Sequence, residues 1–479
     1  MGSPIGANLL TPLIDMAQKS EQTPFDAIVV GAGSAGITVA RTLAEKGKRV
    51  ALLESGPLAL LSHIQSTDLR FDVDLAQTIQ RDLQYSAAGA DGKPFGALIG
   101  CVGGRGLFWN GAAPRFAPSD FTGWPLTIED LVPHYEWAER ELRVTRSYSD
   151  SALCQTICRL LRRAGINAEP GPYAVDNHPT AAGWLAGTVG NSLAPLLRST
   201  LLTSGARLIS LATRAFARKI IFSSRTATGI EAVDLDTSKV YSIQGKAVVL
   251  AAGGFESVRL AMVSCVPDAA GLLGRYISDH MFVRAYYPMP PQLYDSMREE
   301  VAIGWVPANH KQRYQIEIHL PSDNLFLNQA GARWSPDEST FYAAMVRSFA
   351  AVEPRRDNFI EPLSGDVPGS FRVHFNLDDN DIALRQSQLD GIESVRAALG
   401  ARPATAQVMP QGSSHHEAGG LMMGLNPASS IVDGYGRFHH ANQLYVADAA
   451  AWPDVSPANP HLTIIAIARR MATTLASRL

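Results

Sequence analysis

Short apolar runs alternate with amphipathic segments in the first part of the chain. Residues 27–30 form a continuous apolar run, and a glycine-rich hexapeptide, residues 31–36, follows at once. Residues 37–46 then show helical periodicity until Gly47, and residues 49–53 form a second apolar run. Continuous apolar runs of this length are typical of buried parallel strands. The pattern therefore predicts a strand, a tight turn, a helix and a second strand.

A second buried strand occurs near the middle of the chain. Residues 246–257 run from apolar side chains through two glycines into a helix, which indicates that the chain returns there to the first sheet. Residues 443–446 read as a further short strand, and residues 460–479 as a closing helix. Other strands are predicted before the second run, the last two as arms of a hairpin, at residues 206–211, 215–222, 229–235 and 240–244.

Between residues 281 and 376 the pattern changes to a series of alternating strands separated by turn residues. This pattern predicts an antiparallel sheet, a different architecture from the parallel start. We expect one such sheet, made of residues 283–287, 301–306, 315–320, 341–347 and 370–377. Helical periodicity predicts helices elsewhere, at residues 129–142 with Thr127 as the cap, at 151–164 and at 381–399.

Two segments carry a weaker pattern. We expect residues 1–24 to be a leader that packs on the surface or stays loose. Residues 58–64 suit a short helix that covers a bound cofactor.

The hexapeptide at residues 31–36 has the chemistry of a dinucleotide-binding turn. Gly31 permits the tight turn, Gly33 allows close approach of a pyrophosphate, and Gly36 lets the helix pack on the strand. The helix N-terminus offers N–H groups to the phosphates. Glu54, directly after the second strand, stands where a carboxylate accepts hydrogen bonds from a ribose diol. Together these features favour dinucleotide binding over an ordinary glycine turn.

A second glycine-rich segment spans residues 100–115. It combines several glycines with Phe108 and Trp109, so it is too apolar for a solvated loop. A flexible backbone flanked by aromatic rings suits close approach to a flat ring system. The alternative is a buried glycine turn with no ligand.

The composition narrows the function classes. A chain of 479 residues predicts two domains, and a formal net charge of −3 gives no electrostatic case for nucleic acid. Four cysteines do not make a disulfide framework, and Cys154 and Cys158 lack the companions that a zinc site needs, so we expect no metal. The N-terminus lacks a signal-peptide pattern, and no apolar stretch is long enough to cross a bilayer. We therefore expect a cytoplasmic protein with no membrane partner.

Separated blocks of the sequence resemble the glucose-methanol-choline (GMC) oxidoreductases, flavoproteins that use FAD to oxidise alcohols. The resemblance covers nearly the whole chain. The blocks are residues 31–36 with Glu54, 102–115, 248–260, 274–280 and 416–468. The loop around Trp109 is most similar to the pyranose-oxidase branch, in which a histidine of this loop carries a covalent flavin. Phe108 stands at that place in this chain, so we expect non-covalent FAD.

The resemblance implies a mixed fold, α/β combined with α+β. A Rossmann-like FAD-binding domain with a parallel sheet is expected from residues 20–118, 204–282 and 430–479. A substrate domain built on an antiparallel sheet is expected from residues 119–203 and 283–429, interleaved with the first domain. We expect the active site between them, since ligand pockets favour domain interfaces and the carboxyl ends of parallel strands.

The residues expected to contact FAD fall into the family-like blocks and one strand between them. They are Gly31, Gly33, Ser34, Ala35, Gly36, Glu54, Ser55, Gly103, Gly104, Gly106, Leu107, Trp109, Asn110, Gly111, Ala112, Ala217, Ala251, Ala252, Gly253, Asp448, Ala449, His461, Leu462 and Thr463.

Two histidines are the expected catalytic pair. The string that begins at His416 resembles the family's first active-site histidine motif, and the string around His461 resembles its second. His415 competes for the first assignment. An alcohol gives up a hydride easily only when its hydroxyl proton also leaves, so a neutral imidazole near the carbinol carbon is the expected base. Which of the two is the base, and which is the hydrogen-bond partner, stays open.

Several alternatives remain after this reading. A nicotinamide dehydrogenase would share the first glycine motif, but it would not need the second glycine loop or the histidine pair. A non-catalytic flavoprotein, acting as a redox sensor, would not need both His416 and His461. The substrate is an alcohol, a sugar, a glycoside or an aminocyclitol, and the electron acceptor is molecular oxygen or another oxidant.

Overall fold

The structure is a computed structural model that describes residues 10–59, 73–146, 151–179, 185–189, 207–320 and 342–479. Most of the helix predicted at residues 58–64 lies outside the described residues, as does much of the leader. The helices among the described residues are α1 (Leu13–Gln22), α2 (Ser34–Glu45), α3 (Val73–Leu83), α4 (Ile128–Leu142), α5 (Ala152–Arg163), α6 (Gly254–Val263), α7 (Tyr294–Glu299), α8 (Asp379–Ala398) and α9 (His461–Ala476).

The strands fall into several sheets that draw on distant parts of the chain. In chain order they are β1 (Ala27–Val30), β2 (Val50–Leu53), β3 (Gln84–Gly89), β4 (Pro94–Ile99), β5 (Val144–Thr145), β6 (Glu169–Pro170), β7 (Tyr173–Pro179), β8 (Leu185–Val189), β9 (Ile209–Ala212), β10 (Ala215–Ser223), β11 (Thr226–Asp234), β12 (Val240–Gln244), β13 (Val248–Leu250), β14 (His280–Pro288), β15 (Ala302–Val306), β16 (Tyr314–Leu320), β17 (Ala343–Ala351), β18 (Phe359–Pro362), β19 (Phe371–His374), β20 (Gln407–Val408) and β21 (Leu444–Val446).

A parallel sheet forms the first layer of the fold. Its strand order is β21-β13-β1-β2-β9, and each neighbouring pair runs parallel. Every residue of β1, β2, β13 and β21 is buried, which explains why their sequences are continuous apolar runs. Helix α2 packs against the sheet, and α9 packs against α2 and α4. The carboxyl ends of β1, β2 and β13 therefore meet at one edge of the sheet.

An antiparallel sheet forms the second large layer, in the order β20-β14-β17-β16-β15-β6. It contains four of the five strands predicted for one sheet, and the prediction is wrong for residues 370–377. That strand, β19, pairs with β18 and runs parallel to β3 in a separate sheet. Alternation in the sequence predicts a half-buried strand, but it carries no information about the partner, and here the partner lies near residue 88.

Most other elements agree with the prediction. The hairpin of β11 and β12 is confirmed, and β10 adds a third strand to it. Helix α2 begins at Ser34, three residues before the predicted start, because the helical turn begins inside the glycine motif. The leader contains helix α1, whose Met16 is buried against the main core, so this segment is an integral part of the fold.

The buried apolar side chains form two clusters among the described residues. The larger cluster surrounds the parallel sheet and includes α4 and α9, and the smaller one joins α5 and α8 to the antiparallel sheet. The parallel sheet beside antiparallel sheets confirms the predicted fold class. Within the described part of the chain, no helix has the length and apolar character needed to span a bilayer.

An aromatic cluster surrounds Trp452, which lies in the segment between β21 and α9. This cluster gives the first test. The ring of Trp452 is fully buried and lies 5.3 Å from Phe116 and 5.6 Å from Trp124, measured between centroids. Trp452→Ala should lower the free energy of unfolding by about 3–5 kcal/mol, because the cavity cannot collapse completely. Denaturant unfolding measures this. Leu425→Ala, at a side chain that is 82% exposed, is the control and should leave the midpoint unchanged.

Candidate active site

A cleft of about 660 Å³ opens at the carboxyl ends of β1, β2 and β13. Its walls come from the first glycine motif, the second glycine loop and the antiparallel sheet. The last wall is the segment at residues 413–417, which carries His416 and is called the histidine loop below. The position of the cleft is the one that open α/β sheets use for ligands.

The first glycine motif is shaped for an anionic ligand. Gly31 has a φ of +97°, and a Cβ there would lie 2.4 Å from the carbonyl oxygen of Ala251. A Cβ on Gly36 would lie 1.8 Å from the carbonyl oxygen of Gly31, so strand and helix touch at this point. A Cβ on Gly33 would meet no atom within 4 Å, and Gly33 and Ala35 both line the cleft. The first-turn N–H groups of α2 have no acceptor within the helix, so the helix end can receive a phosphate.

Glu54 lies at the end of β2, where it lines the cleft and is largely buried. Its two carboxylate oxygens accept hydrogen bonds from the backbone N–H groups of Ala32, at 2.9 Å, and Gly56, at 2.8 Å. Burial raises the pKa of Glu54, and these two hydrogen bonds oppose that shift. One oxygen also accepts from the Ser55 hydroxyl at 3.4 Å, and the oxygen that faces Ala32 keeps a lone pair for a further donor. The carboxylate therefore holds the glycine turn in place and can also accept a hydroxyl.

Most of the residues predicted to contact the cofactor line this cleft. They are Gly31, Gly33, Ser34, Ala35, Glu54, Ser55, Gly104, Gly106, Trp109, Asn110, Ala217, Ala251, Ala252, Gly253, Asp448, Ala449 and His461. The others, Gly36, Gly103, Leu107, Gly111, Ala112, Leu462 and Thr463, lie behind the wall and shape it. Leu107, Leu462 and Thr463 are fully buried, and the Thr463 hydroxyl is 2.7 Å from the Tyr135 hydroxyl.

Asp448 organises the backbone at the end of β21. Its carboxylate accepts hydrogen bonds from the Gly253 N–H at 2.9 Å, the Ser257 hydroxyl at 2.6 Å and the Ala450 N–H at 3.0 Å. Burial raises the pKa of Asp448 to about 6, and these donors limit the shift. The residue thus links β21 to the turn that precedes α6.

His416 forms a hydrogen-bonded pair with His280, the first residue of β14. The two Nδ1 atoms are 2.8 Å apart, and Nε2 of His280 lies 2.6 Å from the carbonyl oxygen of Ser456. A carbonyl oxygen only accepts, so Nε2 of His280 carries a proton. Burial lowers the pKa of His280 to about 4, so this ring is neutral at pH 7 and its Nδ1 is an acceptor. His416 must then donate from Nδ1, which leaves its Nε2 unprotonated.

The charge state of His416 supports this tautomer. Burial, together with the neighbouring His280, His415 and arginines, lowers the pKa of His416 well below the ordinary histidine value. The ring is therefore neutral at pH 7, and it lines the cleft. It packs 5.3 Å from the ring of Phe349, measured between centroids. The pair thus presents one imidazole lone pair in the wall of the cleft.

His461, at the start of α9, belongs to the other side of the cleft. Its Nε2 lies 3.3 Å from the hydroxyl of Ser34, and its ring stacks on Trp109 with centroids 4.1 Å apart. The structure therefore connects His461 to the first glycine motif and to the second glycine loop. Both predicted catalytic histidines line one cleft, from opposite elements of the fold.

The histidine loop is fixed by residues that the sequence did not single out. Arg105, in the second glycine loop, donates to Glu417 and, at 2.7 Å, to the carbonyl oxygen of His415. The carboxylate of Asp279 accepts hydrogen bonds from the Ser414 hydroxyl and, at 3.3 Å, from the His416 N–H. Burial and the nearby Glu417 raise the pKa of Asp279 to about 7. His415, the competing candidate, has a left-handed backbone with a φ of 63°.

Among the residues that shape the cleft and had no role assigned from the sequence, His280 has the clearest signal. It closes the family-like string at residues 274–280, to which the sequence analysis gave no role. Arg105 lies inside the glycine loop, but its partner Glu417 is 312 positions away. No local pattern predicts such a pair.

Comparison with family models agrees with the geometry. A model described as "GMC oxidoreductase" for the N-terminal part matches residues 25–282, which is more than half of the chain. A second model of the same description, for the C-terminal part, matches residues 354–468. The two matches contain both glycine segments, His280 and both predicted catalytic histidines.

Curated relatives match over nearly their full length. The chain is 23% identical to a 2-methyl-1,2-propanediol dehydrogenase of Mycolicibacterium austroafricanum, with 97% of each chain covered. It is 25% identical to a C-glycoside 3-oxidase of Microbacterium trichothecenolyticum, over 97% of this chain and 99% of that protein. Among solved structures, pyridoxine 4-oxidase from Mesorbium loti shares the fold, with a TM-score of 0.67 and 17% identity over 94% of this chain and 99% of that one.

The second and third glycines of the motif should respond differently to one added methyl group. Gly33 has an ordinary φ of −74°, so the Gly33→Ala protein should fold normally. It should bind the dinucleotide about tenfold or more weakly, because the added methyl group separates the phosphate from the N–H groups. Gly36→Ala should destabilise the fold itself, since its Cβ overlaps the backbone of Gly31.

Thermal unfolding and the dinucleotide content of the purified proteins distinguish the two effects. A Gly33→Ala protein that keeps the full dinucleotide content would contradict the placement of the phosphate. Gly304→Ala in β15 is the control for the loss of a glycine outside the cleft, because a Cβ there would make only ordinary contacts, 3.5 Å from the Ile318 side chain.

Proposed function

Since the chain belongs to the GMC oxidoreductase family, whose members are flavoproteins that generally bind FAD, we propose that it uses FAD to oxidise an alcohol group of a sugar-like or polyol-like small molecule. The observation that carries the proposal is the His280–His416 pair, which presents an unprotonated Nε2 in the cleft that begins at the dinucleotide motif. The names of the curated relatives, a diol dehydrogenase and a glycoside oxidase, support the class of substrate.

The residues of the cleft fit FAD. The diphosphate would lie at the N-terminus of α2, near Gly33 and Ala35, and Glu54 would accept the adenosine ribose. The glycine loop with Trp109 offers a surface for the flat ring system. When bound, FAD would accept the hydride that the alcohol loses. Phe108 lines the cleft and has no nucleophilic atom, which supports non-covalent binding.

Proton removal is the step that the protein's own side chains perform. His416 Nε2 accepts the hydroxyl proton while the C–H bond breaks, and His461 is the second polar group near the carbinol. The low pKa of His416 makes it a weak base. This is sufficient, because an alcohol that is losing a hydride becomes a protonated carbonyl, which is a strong acid. The low pKa also keeps the ring unprotonated over a wide pH range.

The arrangement of the two large sheets supports the same placement of the reaction. The first glycine motif lies on the parallel sheet, whereas His280 begins β14 of the antiparallel sheet. The cleft is lined from both sheets, and each sheet has its own apolar cluster. We therefore propose that the reaction takes place between the FAD-binding and the substrate-binding domains. Oxygen or another acceptor would complete the cycle.

Non-covalent FAD gives a direct test. Acid precipitation of the purified yellow protein should release all flavin into the supernatant, because Phe108 cannot form a bond to the ring. Absorbance of the supernatant and of the redissolved pellet measures the two fractions. Flavin that stays with the pellet would show a covalent link elsewhere, and Phe108→His provides a comparison with a residue that could form one.

The histidines should control the rate of flavin reduction. His416→Ala should slow reduction by a good substrate by about 10²–10⁴-fold with FAD still bound, because the proton acceptor is lost. His461→Ala should slow reduction less, because His416 remains as the proton acceptor; a larger loss in His461→Ala than in His416→Ala would assign the base to His461 instead. Because the pKa of His416 lies well below about 6.5, the wild-type rate should stay level as the pH falls from 8 to 6, whereas an ordinary histidine base would become about three-quarters protonated.

Substitution of His280 separates positioning from proton transfer. His280→Phe removes the acceptor for His416 Nδ1–H, so both tautomers of His416 become populated and the rate should fall. His280→Asn can still accept that hydrogen bond and should restore part of the rate. His310→Ala, at an exposed histidine, is the matched control. Rapid-mixing reduction of the flavin at several pH values measures the rates of these variants. Wild-type rates in both His416→Ala and His461→Ala would exclude the acid–base role.

A further inference from the structure

Two arginines lie directly opposite each other on the antiparallel sheet. Arg284 of β14 pairs in register with Arg347 of β17, and both side chains line the cleft. Opposed side chains on one face of an antiparallel pair have Cβ atoms about 4.5–5.5 Å apart, and like charges at this position destabilise a sheet. A sheet that keeps two guanidinium groups together here requires a compensating negative charge.

The protein supplies only part of that charge. Arg347 contacts the buried carboxylate of Glu317, which also accepts from the Tyr173 hydroxyl at 3.3 Å. Burial opposes ionisation of Glu317, yet Arg347 and His319 lower its pKa to about 2, so it is charged at neutral pH. Glu317 therefore balances one of the two arginines.

Arg284 has no acidic partner among the described residues. Its Nη2 donates at 3.3 Å to the side-chain oxygen of Gln407, a neutral amide. The Nε atoms of Arg284 and Arg347 are both buried, and within the part of the chain that the structure describes neither has a hydrogen-bond partner. Buried donors of this kind are rare in folded proteins, since each loses its hydration without compensation. Two of them side by side in the wall of a cleft indicate a ligand with acceptor atoms.

The other carboxylates that line the cleft are already engaged. Glu256 pairs with Arg259 at 2.6 Å, and Glu417 pairs with Arg105. Glu54 and Asp448 accept from backbone N–H groups next to the dinucleotide motif. The antiparallel wall thus keeps one net positive charge. That balance suits a monoanion with a planar, bidentate acceptor, which is a carboxylate.

An aromatic shelf sets the distance between this charge and the proposed base. Phe282 and Phe349 are the neighbouring opposed pair, stacked with centroids 4.7 Å apart, and His416 packs on Phe349. Two residues along a strand span roughly 7 Å, so the arginines lie about that far beyond the shelf. A sugar-sized ring fits this spacing, whereas the adjacent groups of an α-hydroxy acid do not reach across it.

We propose that the Arg284–Arg347 pair binds a carboxylate of the substrate, so that the enzyme acts on an alcohol within an acidic, sugar-sized molecule such as a glycuronoside. This inference rests on the proposed function, because it places the reacting hydroxyl at His416. The flat face of the ring lies on the Phe282–Phe349 shelf. The carboxylate receives N–H groups from both arginines, and Gln407 supports Arg284 from the side.

Binding to the dithionite-reduced holoprotein tests the inference, because the reduced protein cannot turn the ligand over. The probes are methyl β-D-glucuronide, methyl β-D-glucoside and glucose 6-phosphate. In the glucoside a neutral CH₂OH group replaces the carboxylate. Calorimetric titration should show the glucuronide binding at least about tenfold more tightly than the glucoside, as expected for one charge-assisted hydrogen-bond pair. A glucuronide that binds no more tightly than the glucoside overturns the proposal, and so does tighter binding of the phosphate.

Variants of Arg284 assign the effect to the pair. Arg284→Met should weaken glucuronide binding by about tenfold to a hundredfold and should affect the glucoside much less, and Arg284→Lys should restore part of the affinity. Arg313→Met removes an exposed arginine that pairs with Glu353 outside the cleft, and it controls for the change in net charge. Equal weakening for both sugars in Arg284→Met would overturn the proposal.

Flavin reduction by the same probes separates this inference from the proposed function. Arg284-dependent binding of the glucuronide, without flavin reduction by any alcohol, would support the carboxylate site and count against alcohol oxidation. Flavin reduction by neutral alcohols, with no preference for the glucuronide and no effect of Arg284→Met, would support alcohol oxidation and overturn the carboxylate site.

Discussion

A buried ion pair between Arg105 and Glu417 joins the two loops that build the cleft. The guanidinium donates to both carboxylate oxygens and also to the carbonyl oxygen of His415. The Glu417 side chain is only 5% exposed, so loss of Arg105 would leave a buried charge without compensation, which typically costs about 3–5 kcal/mol. The backbone of Glu417 also packs on Gly254, where a Cβ would lie 2.8 Å from its carbonyl oxygen. The glycine loop, the histidine loop and α6 therefore keep one relative position.

A separate chain of hydrogen bonds runs from Asp120 to the histidine pair. Asp120 accepts from the Ser456 hydroxyl at 2.7 Å, the Ser456 carbonyl oxygen accepts from His280, and His280 accepts from His416. Each link has a fixed donor and a fixed acceptor, so the tautomer of His416 is determined by groups that do not touch the substrate. Burial keeps both rings neutral, and that neutrality together with the hydrogen-bond geometry leaves the lone pair at Nε2 of His416.

Local patterns predicted the parts of the fold that depend on neighbours in sequence. The prediction was close for the apolar runs of β1 and β2, the glycine turn and the helix after it. In these segments burial and turn geometry depend on residues that are adjacent in the sequence. The partner of β19 was predicted wrongly, because alternation does not specify which strand lies alongside. Three features were not predictable, since each depends on segments that only the folded chain brings together. They are the role of Arg105, the link from Ser456 to His280, and the opposed pair Arg284 and Arg347.

The strand order of the parallel sheet also determines when the protein can become complete during synthesis. The sheet has β1 at its centre, yet β13 and β21 join it from positions 248 and 444 of a 479-residue chain. Until β21 leaves the ribosome, β13 has an open edge, and until α9 follows, the apolar side of α2 is uncovered. Contacts of such long sequence separation form slowly, and open edges promote aggregation. The nascent chain therefore exposes aggregation-prone surface over a long part of its translation, and chaperone protection matters most before β21 and α9 emerge.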